Sequence, residues 1–188
     1  MTLAVLVSGR GSNLRNLVEL GLEVVAVATN RPSCAAATYV RERGLPLGEF
    51  SQKRFDSLEQ RDAAMRDFIR WSGAELVVNA GYDRILSPAF TSAFAGRMIN
   101  IHPSLLPAFG GGMDAVERAL AAGVKITGCT VHLVTDEVDA GPILLQAAVP
   151  VLADDTPETL RARIQREEHR LLPEAIQLLA KKSASLSK

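Results

Sequence analysis

Short continuous apolar runs alternate with amphipathic stretches over the first hundred residues. Leu3–Val7, Leu22–Thr29 and Glu75–Ala80 read as strands, the first and last apolar enough to be buried on both faces. Between them, Leu14 to Leu20, Ala35 to Arg43 and Ser57 to Trp71 read as helices, with Gly21 and Gly44 placed to stop the first two. A short strand is expected around Leu47–Phe50. Such alternation is the pattern of a parallel sheet with helices on both faces.

The pattern then changes. A strand, Met98–His102, leads into a Pro- and Gly-rich loop from Pro103 to Met113. Asp114, with Glu117 three residues later, predicts a helix opened by a capping box and ended by Gly123. Gly128–Thr135 and Pro142–Val151 read as strands. No helix fits in the acidic turn Asp136–Gly141, so the two should pair antiparallel. Thr156 as N-cap and Pro157 at the first helical position open a last helix, which runs to about Ala180 with a kink at Pro173. The expected fold is α/β: an open, mostly parallel twisted sheet with helices on both faces and antiparallel strands at the C-terminal side. Residues 1–180 are read as one domain, and 181–188 as a polar Ser/Lys-rich tail expected to be disordered.

Composition narrows the function. With 188 residues, 47% hydrophobic and 22% charged, the chain is an ordinary globular one, long enough for one well-buried domain. A formal net charge of zero disfavours a general nucleic-acid binder. Cys34 and Cys129 lie far apart and read as free thiols. No signal-peptide n-region precedes the first apolar run, and no apolar stretch approaches the roughly 18 residues of a membrane span. A cytoplasmic protein without membrane contact is the expectation.

Two constellations carry candidate chemistry. Residues two apart on a strand share a face, so Met98, Asn100 and His102 emerge together while Ile99 and Ile101 pack the other side. Burying a carboxamide and an imidazole without partners costs roughly 1–3 kcal/mol each. The pair therefore reads either as structural, bonded to backbone near the following loop, or as a catalytic device. Asp139, on the turn between two sheet strands, lies where crevices form in open α/β sheets. An aspartate beside an imidazole favours its protonated form. His102 and the Asn100 amide would then donate to an oxygen gaining negative charge, the logic of an oxyanion hole in acyl transfer, with Asp139 assisting proton movement. His102, His132 and Asp139 are also a conceivable metal set, but no H-x-x-x-H or C-x-x-C spacing supports it, and no metal is expected. No G-x-S-x-G elbow surrounds any serine.

The second constellation is Ser8-Gly-Arg-Gly-Ser-Asn13, between the first strand and the first helix. Its glycines permit a sharp turn onto a helix N-terminus, which offers unpaired N–H groups and a positive dipole end. Ser12 and Asn13 add side-chain donors and Arg10 a charge. Leu14 stands where a dinucleotide fingerprint needs its third glycine. A phosphate site and a ligand-free tight turn both remain open.

Loop, Asn-x-His strand and acidic turn occur in an order that resembles the glycinamide ribonucleotide transformylase (phosphoribosylglycinamide formyltransferase) family of purine biosynthesis. The matching segments are 7–13, Arg84-Ile-Leu-Ser-Pro-Ala-Phe90, Asn100-Ile-His-Pro-Ser-Leu-Leu-Pro107 and 127–146. The resemblance implies that Asn100, His102 and Asp139 transfer formyl from 10-formyltetrahydrofolate, a co-substrate, to the amine of glycinamide ribonucleotide. It implies that Gly11, Ser12 and Asn13 hold the phosphate, and that Gln165 and Glu168 contact the ribonucleotide. Arg84, Ile85 and Leu86 would line the folate pocket largely through backbone groups, Val134 and Thr135 would close its other side, and His132 would support the active site. Read from the residues alone, Gln165 and Glu168 are solvated helix positions and His132 a satisfied core histidine. The resemblance also makes Leu106–Pro107 a candidate cis bond. The chain departs from the family's pattern at Ala108–Asp114, at Asp83 and at Asn79.

Rival expectations keep the donor and change the acceptor: a formyltetrahydrofolate hydrolase, or a formyltransferase with another amine acceptor. A different class, a non-enzymatic phosphometabolite-binding domain, would use only the glycine loop. The expected assembly is a monomer or weak homodimer.

Overall fold

The structure, a computed structural model, describes residues 1–186. In chain order the elements are β1 (Leu3–Val7), α1 (Ser12–Glu19), β2 (Val24–Thr29), α2 (Ala35–Glu42), β3 (Leu47–Glu49), a 3-10 turn (Gln52–Arg54) and α3 (Leu58–Trp71). There follow β4 (Leu76–Asn79), α4 (Pro88–Ala93), β5 (Met98–His102), α5 (Ala115–Ala121), β6 (Ile126–Leu133), β7 (Ile143–Pro150) and α6 (Pro157–Leu186). The strand order is β3-β2-β1-β4-β5-β6-β7. β1 pairs in parallel with β2 and β4, β2 with β3, and β4 with β5, while β6 and β7 pair antiparallel. This is the expected mostly parallel sheet with antiparallel strands at its C-terminal side.

Packing groups the described residues into two compact units: Met1–Asn100 with Val134–Asp136, and Ile101–Leu133 with the described residues from Glu137 onward. In the first, every residue of β1 is buried, as a strand covered on both faces requires. Ala4 and Leu6 of β1, Ala26 and Ala28 of β2 and Val77 of β4 share a core with Met65 and Ile69 of α3 and Phe90 of α4. The sequence pattern predicts no helix at α4. Ser87 caps it, its hydroxyl accepting from the Phe90 amide at 3.3 Å, and Pro88 stands at its first turn. At six residues it is too short for periodicity to reveal.

In the second unit, α6 packs on β6, β7 and α5. The Thr156 hydroxyl accepts from the Thr159 amide at 3.3 Å, as expected of an N-cap. Pro173 sits buried inside α6 without ending it. The helix continues past the expected end at Ala180 to Leu186, because Lys181, Lys182 and Ala184 all tolerate helix well. The rest of the expected tail, residues 187 and 188, lies outside the described residues. The capping box at α5 does not form: Asp114 makes no cap bond, and Glu117 pairs instead with Arg161 of α6 at 2.5 Å.

Candidate active site

In the first unit β1 lies between β2 and β4, so the connections leaving β1 and β4 run to opposite sides of the sheet. The carboxyl ends of these two strands flank a topological switch point, where open α/β sheets form their crevice. The loops that follow them are tied together. The Ser8 amide donates to the Gly81 carbonyl at 3.1 Å, and the Asp83 amide to the Ser8 hydroxyl at 2.9 Å. That hydroxyl donates to Asn30 Oδ1 at 2.5 Å, and Asn30 Nδ2 to Asp83 Oδ1 at 2.9 Å. Arg31 pairs with the other Asp83 oxygen. Asn79 accepts from the Tyr82 amide at 2.9 Å. Asn79 and Asp83, expected to depart from the family's pattern, are therefore bonded parts of this scaffold.

Gly11 is the N-cap of α1, with φ +70. A Cβ there would lie 2.6 Å from the Cβ of Ala36, so both the backbone angle and the close approach of α2 require glycine. Ser12 and Asn13, half-buried and buried, open the helix at its positive end. The loop thus has the turn and helix start of an anion site.

Further along the same unit, Arg84 and Ile85 are exposed and Leu86 is half-buried. Leu86 and Val134 both pack against the core described above. The Val134 amide donates to the Met98 carbonyl at 2.9 Å, and the Thr91 hydroxyl bonds Asp136, which fixes the segment holding Val134 and the exposed Thr135.

The second unit holds His102, His132 and Asp139. His102 Nδ1 lies 3.5 Å from Asp139 Oδ2, and His132 Nε2 lies 3.6 Å from Asp139 Oδ1. The far side of each ring also meets an oxygen: His102 Nε2 the Phe109 carbonyl at 3.2 Å, and His132 Nδ1 the Leu133 carbonyl at 2.9 Å. Both imidazoles are nearly buried, at 5% and 2% exposed. Asp139 adopts a left-handed backbone, φ +54, and accepts from the Gly111 amide at 2.9 Å. The His132 ring beside it holds its carboxyl below the usual carboxylate range; burial opposes this, while the Gly111 amide and the charges of His102 and His132 assist. Asn100 precedes His102 by two residues on β5 and is half-buried. Gln165 and Glu168, one turn apart on α6, are half-buried rather than fully solvated.

Several contacts around these residues carry no sequence signal. Phe109, φ +57, supplies the carbonyl facing His102, and Arg118 Nη1 donates to the Gly110 carbonyl at 3.0 Å. The turn after β5 is held by Thr130, whose hydroxyl donates to the Ser104 carbonyl at 2.7 Å and accepts from the Leu106 amide and Gln146 Nε2, each at 3.0 Å. Gln146 Nε2 also reaches the Leu106 carbonyl, and the Leu106–Pro107 bond is cis. Among the described residues no group of three or more His, Cys, Asp and Glu is arranged to hold a metal ion. His102 and His132 point instead at the two oxygens of one carboxylate.

The formyl transferase family model matches residues 1–176. The chain belongs to the formyl transferase family. It is 40% identical over 186 residues to the phosphoribosylglycinamide formyltransferase of Escherichia coli strain K12, covering 96% of this chain and 87% of that one. It is 42% identical over 183 residues to the trifunctional purine biosynthetic protein adenosine-3 of Bos taurus, covering 94% of this chain. The chain spans less than a fifth of the length of the trifunctional relatives it matches. Among solved structures, glycinamide ribonucleotide transformylase 1 of Symbiobacterium toebii superposes with a TM-score of 0.92 at 43% identity, covering 97% of this chain and 88% of that one. Among the described residues no helix is long and apolar enough to cross a membrane.

Proposed function

We propose that this chain transfers the formyl group of 10-formyltetrahydrofolate to the primary amine of glycinamide ribonucleotide, a step of purine biosynthesis, within one formyl-transfer domain over residues 1–180. The observation that carries the reading is the Asp139 carboxylate held between His102 and His132, in a chain similar to phosphoribosylglycinamide formyltransferases over nearly its whole length.

Formyl transfer puts a negative charge on the formyl oxygen as the amine nitrogen bonds to the formyl carbon. Asn100 Nδ2 and the Nε2–H of His102, which exchanges the Phe109 carbonyl for the substrate while Nδ1 stays on Asp139, donate to that oxygen, and one such donor is worth about 10²–10³ in rate. Asp139 orients His102 and, as a carboxylate, accepts the proton that the attacking amine must lose. When the tetrahedral intermediate collapses, the bond from the formyl carbon to the folate nitrogen breaks, and the proton passes to that nitrogen. No covalent enzyme intermediate is needed.

Gly11, Ser12 and Asn13 bind the ribonucleotide phosphate through backbone amides and side-chain donors at the start of α1, and Gln165 and Glu168 contact the rest of that substrate. Arg84, Ile85 and Leu86 bind the folate head group with Val134 and Thr135. His132 keeps Asp139 ionised. A net charge of zero suits small-molecule substrates better than nucleic acid, and two free thiols, Cys34 and Cys129, suit a reducing cytoplasm. The protein is expected to work as a monomer or weak homodimer without membrane contact.

The test is absorbance-monitored loss of formyl from 10-formyltetrahydrofolate, with and without glycinamide ribonucleotide. Turnover that needs the ribonucleotide and yields its formylated product is expected. Turnover without any acceptor would make the chain a hydrolase, and turnover with a different amine only would change the acceptor.

A further inference from the structure

Arg61 and Asp62, neighbours on α3, are each 1% exposed, the most deeply buried charges of the first unit. Burying an ion pair is poor ground for stability, because desolvation offsets the attraction. What the pair touches is therefore more informative than that it exists. Arg61 Nε and Nη2 donate to Asp62 Oδ1 at 2.8 and 2.6 Å, and Nη1 donates to Gln52 Oε1 at 3.3 Å. The remaining bonds leave α3 for one short stretch of chain. Arg61 Nη2 donates to the Ile85 carbonyl at 2.9 Å, and Asp62 Oδ2 accepts from the Ser87 amide at 2.6 Å.

The two charges thus grip the backbone on either side of Leu86. Between and before these grips the backbone is open. Among the described residues, the amides of Arg84, Ile85 and Leu86 and the carbonyls of Arg84 and Leu86 take part in no hydrogen bond. The stretch is neither helix nor strand, and Arg84 and Ile85 are exposed. Left to itself, such a segment would sample many backbone angles, at roughly 1–2 kcal/mol of ordering cost per residue. Held at one carbonyl and one amide, it offers a fixed row of donors and acceptors. That is the preorganised edge a planar heterocycle with adjacent N–H donors and ring acceptors requires.

We infer that Arg61 and Asp62 are positioning residues for the co-substrate. They set the backbone of Arg84–Leu86 in the geometry that recognises the folate head group, and they touch no substrate themselves. The inference rests on the folate reading given above. A pair kept only for stability predicts the reverse behaviour on mutation.

The deciding variant is Arg61→Met with Asp62→Leu, which removes both charges at similar volume and so leaves neither partner buried alone. Calorimetric titration with tetrahydrofolate and, separately, with glycinamide ribonucleotide gives the readout. The expected result is a Kd for tetrahydrofolate raised by about tenfold or more, an unchanged Kd for the ribonucleotide, and a melting temperature close to that of the parent. Amide exchange of the unliganded protein should show Ser87 exchanging faster in the variant. Arg61→Lys keeps a charged pair and a donor near Ile85, so it should fold and lose less folate affinity than the double variant. Equal folate affinity in parent and double variant overturns the inference alone. So does a loss of affinity shared equally by both ligands. A parent protein that binds the ribonucleotide and no tetrahydrofolate overturns the proposed function as well.

Discussion

His102 Nδ1 stands 3.5 Å from Asp139 Oδ2, with the carboxylate itself tied down by the Gly111 amide at 2.9 Å. The His132 ring beside it lowers the Asp139 carboxyl from its ordinary value, so folding favours the ionised form. A carboxyl depressed in the folded state contributes stability above its unfolded value of about 3.9, and that contribution disappears as pH falls through the folded value. Asp139→Asn should therefore melt below the parent at neutral pH, and the gap should close as pH drops below about 4. Thermal melts across pH 3–7, in roughly half-unit steps, check this. A gap that stays constant to the lowest pH would show that the carboxylate charge contributes nothing. Turnover in the same variant should fall by about 10²–10⁴, the worth of a positioned acid–base group.

His132 acts one step further back. Its ring stands between the Leu133 carbonyl and Asp139 Oδ1, and it is the largest cause lowering the Asp139 carboxyl. His132→Phe keeps a ring in a site only 2% exposed and removes the nitrogen that faces Asp139. The Asp139 carboxyl then rises toward its ordinary value, and the acid limb of the kcat/KM profile should move to higher pH. Activity on the alkaline side of that limb should recover most of the loss. A uniform loss at every pH would assign His132 a packing role instead.

Gly11→Ala tests the phosphate loop. The substitution sets a Cβ at φ +70, which costs about 1–2 kcal/mol, and drives it to 2.6 Å from the Ala36 Cβ. Either α1 or α2 must shift. The KM for glycinamide ribonucleotide should rise by tenfold or more, on the order of the binding lost when a backbone cradle is displaced, while the KM for 10-formyltetrahydrofolate changes little. Steady-state kinetics with each substrate varied in turn separate the two.

What could be read from residues follows from the range of the forces involved. Strands β1, β4 and β5 announce themselves because burial on both faces leaves only apolar runs, and Gly11 because only glycine adopts that turn. The Asn100–His102 pair stands out because polar groups in such a run demand partners. Ser104, Thr130, Gln146, Phe109 and Gly111 do not stand out. Their contribution is a hydroxyl, an amide or a backbone carbonyl delivered across 7 to 40 residues of chain, and no local spacing encodes it. The capping box at Asp114 fails for the same reason. A partner on α6, Arg161, competes for Glu117, and tertiary contact wins over a local motif. Arg61 and Asp62 look like an ordinary solvated pair on an amphipathic helix, and only the folded chain shows them buried.

Thr130 is the sharpest case of a residue that only the fold identifies. It is fully buried, and its hydroxyl uses its single donor on the Ser104 carbonyl and its two acceptor sites on Leu106 and Gln146. Those bonds fix the turn that leaves β5 directly after His102. Thr130→Val preserves shape and β-branching, so packing is conserved while a buried carbonyl and a buried amide lose their partner. The expected cost is about 1–3 kcal/mol of stability, read as a lowered midpoint in urea denaturation with an unchanged slope. Because the turn rather than the chemistry is loosened, kcat should fall by less than in Asp139→Asn. A neutral stability effect would mean that the turn is held elsewhere, and that the Thr130 hydroxyl is dispensable to it.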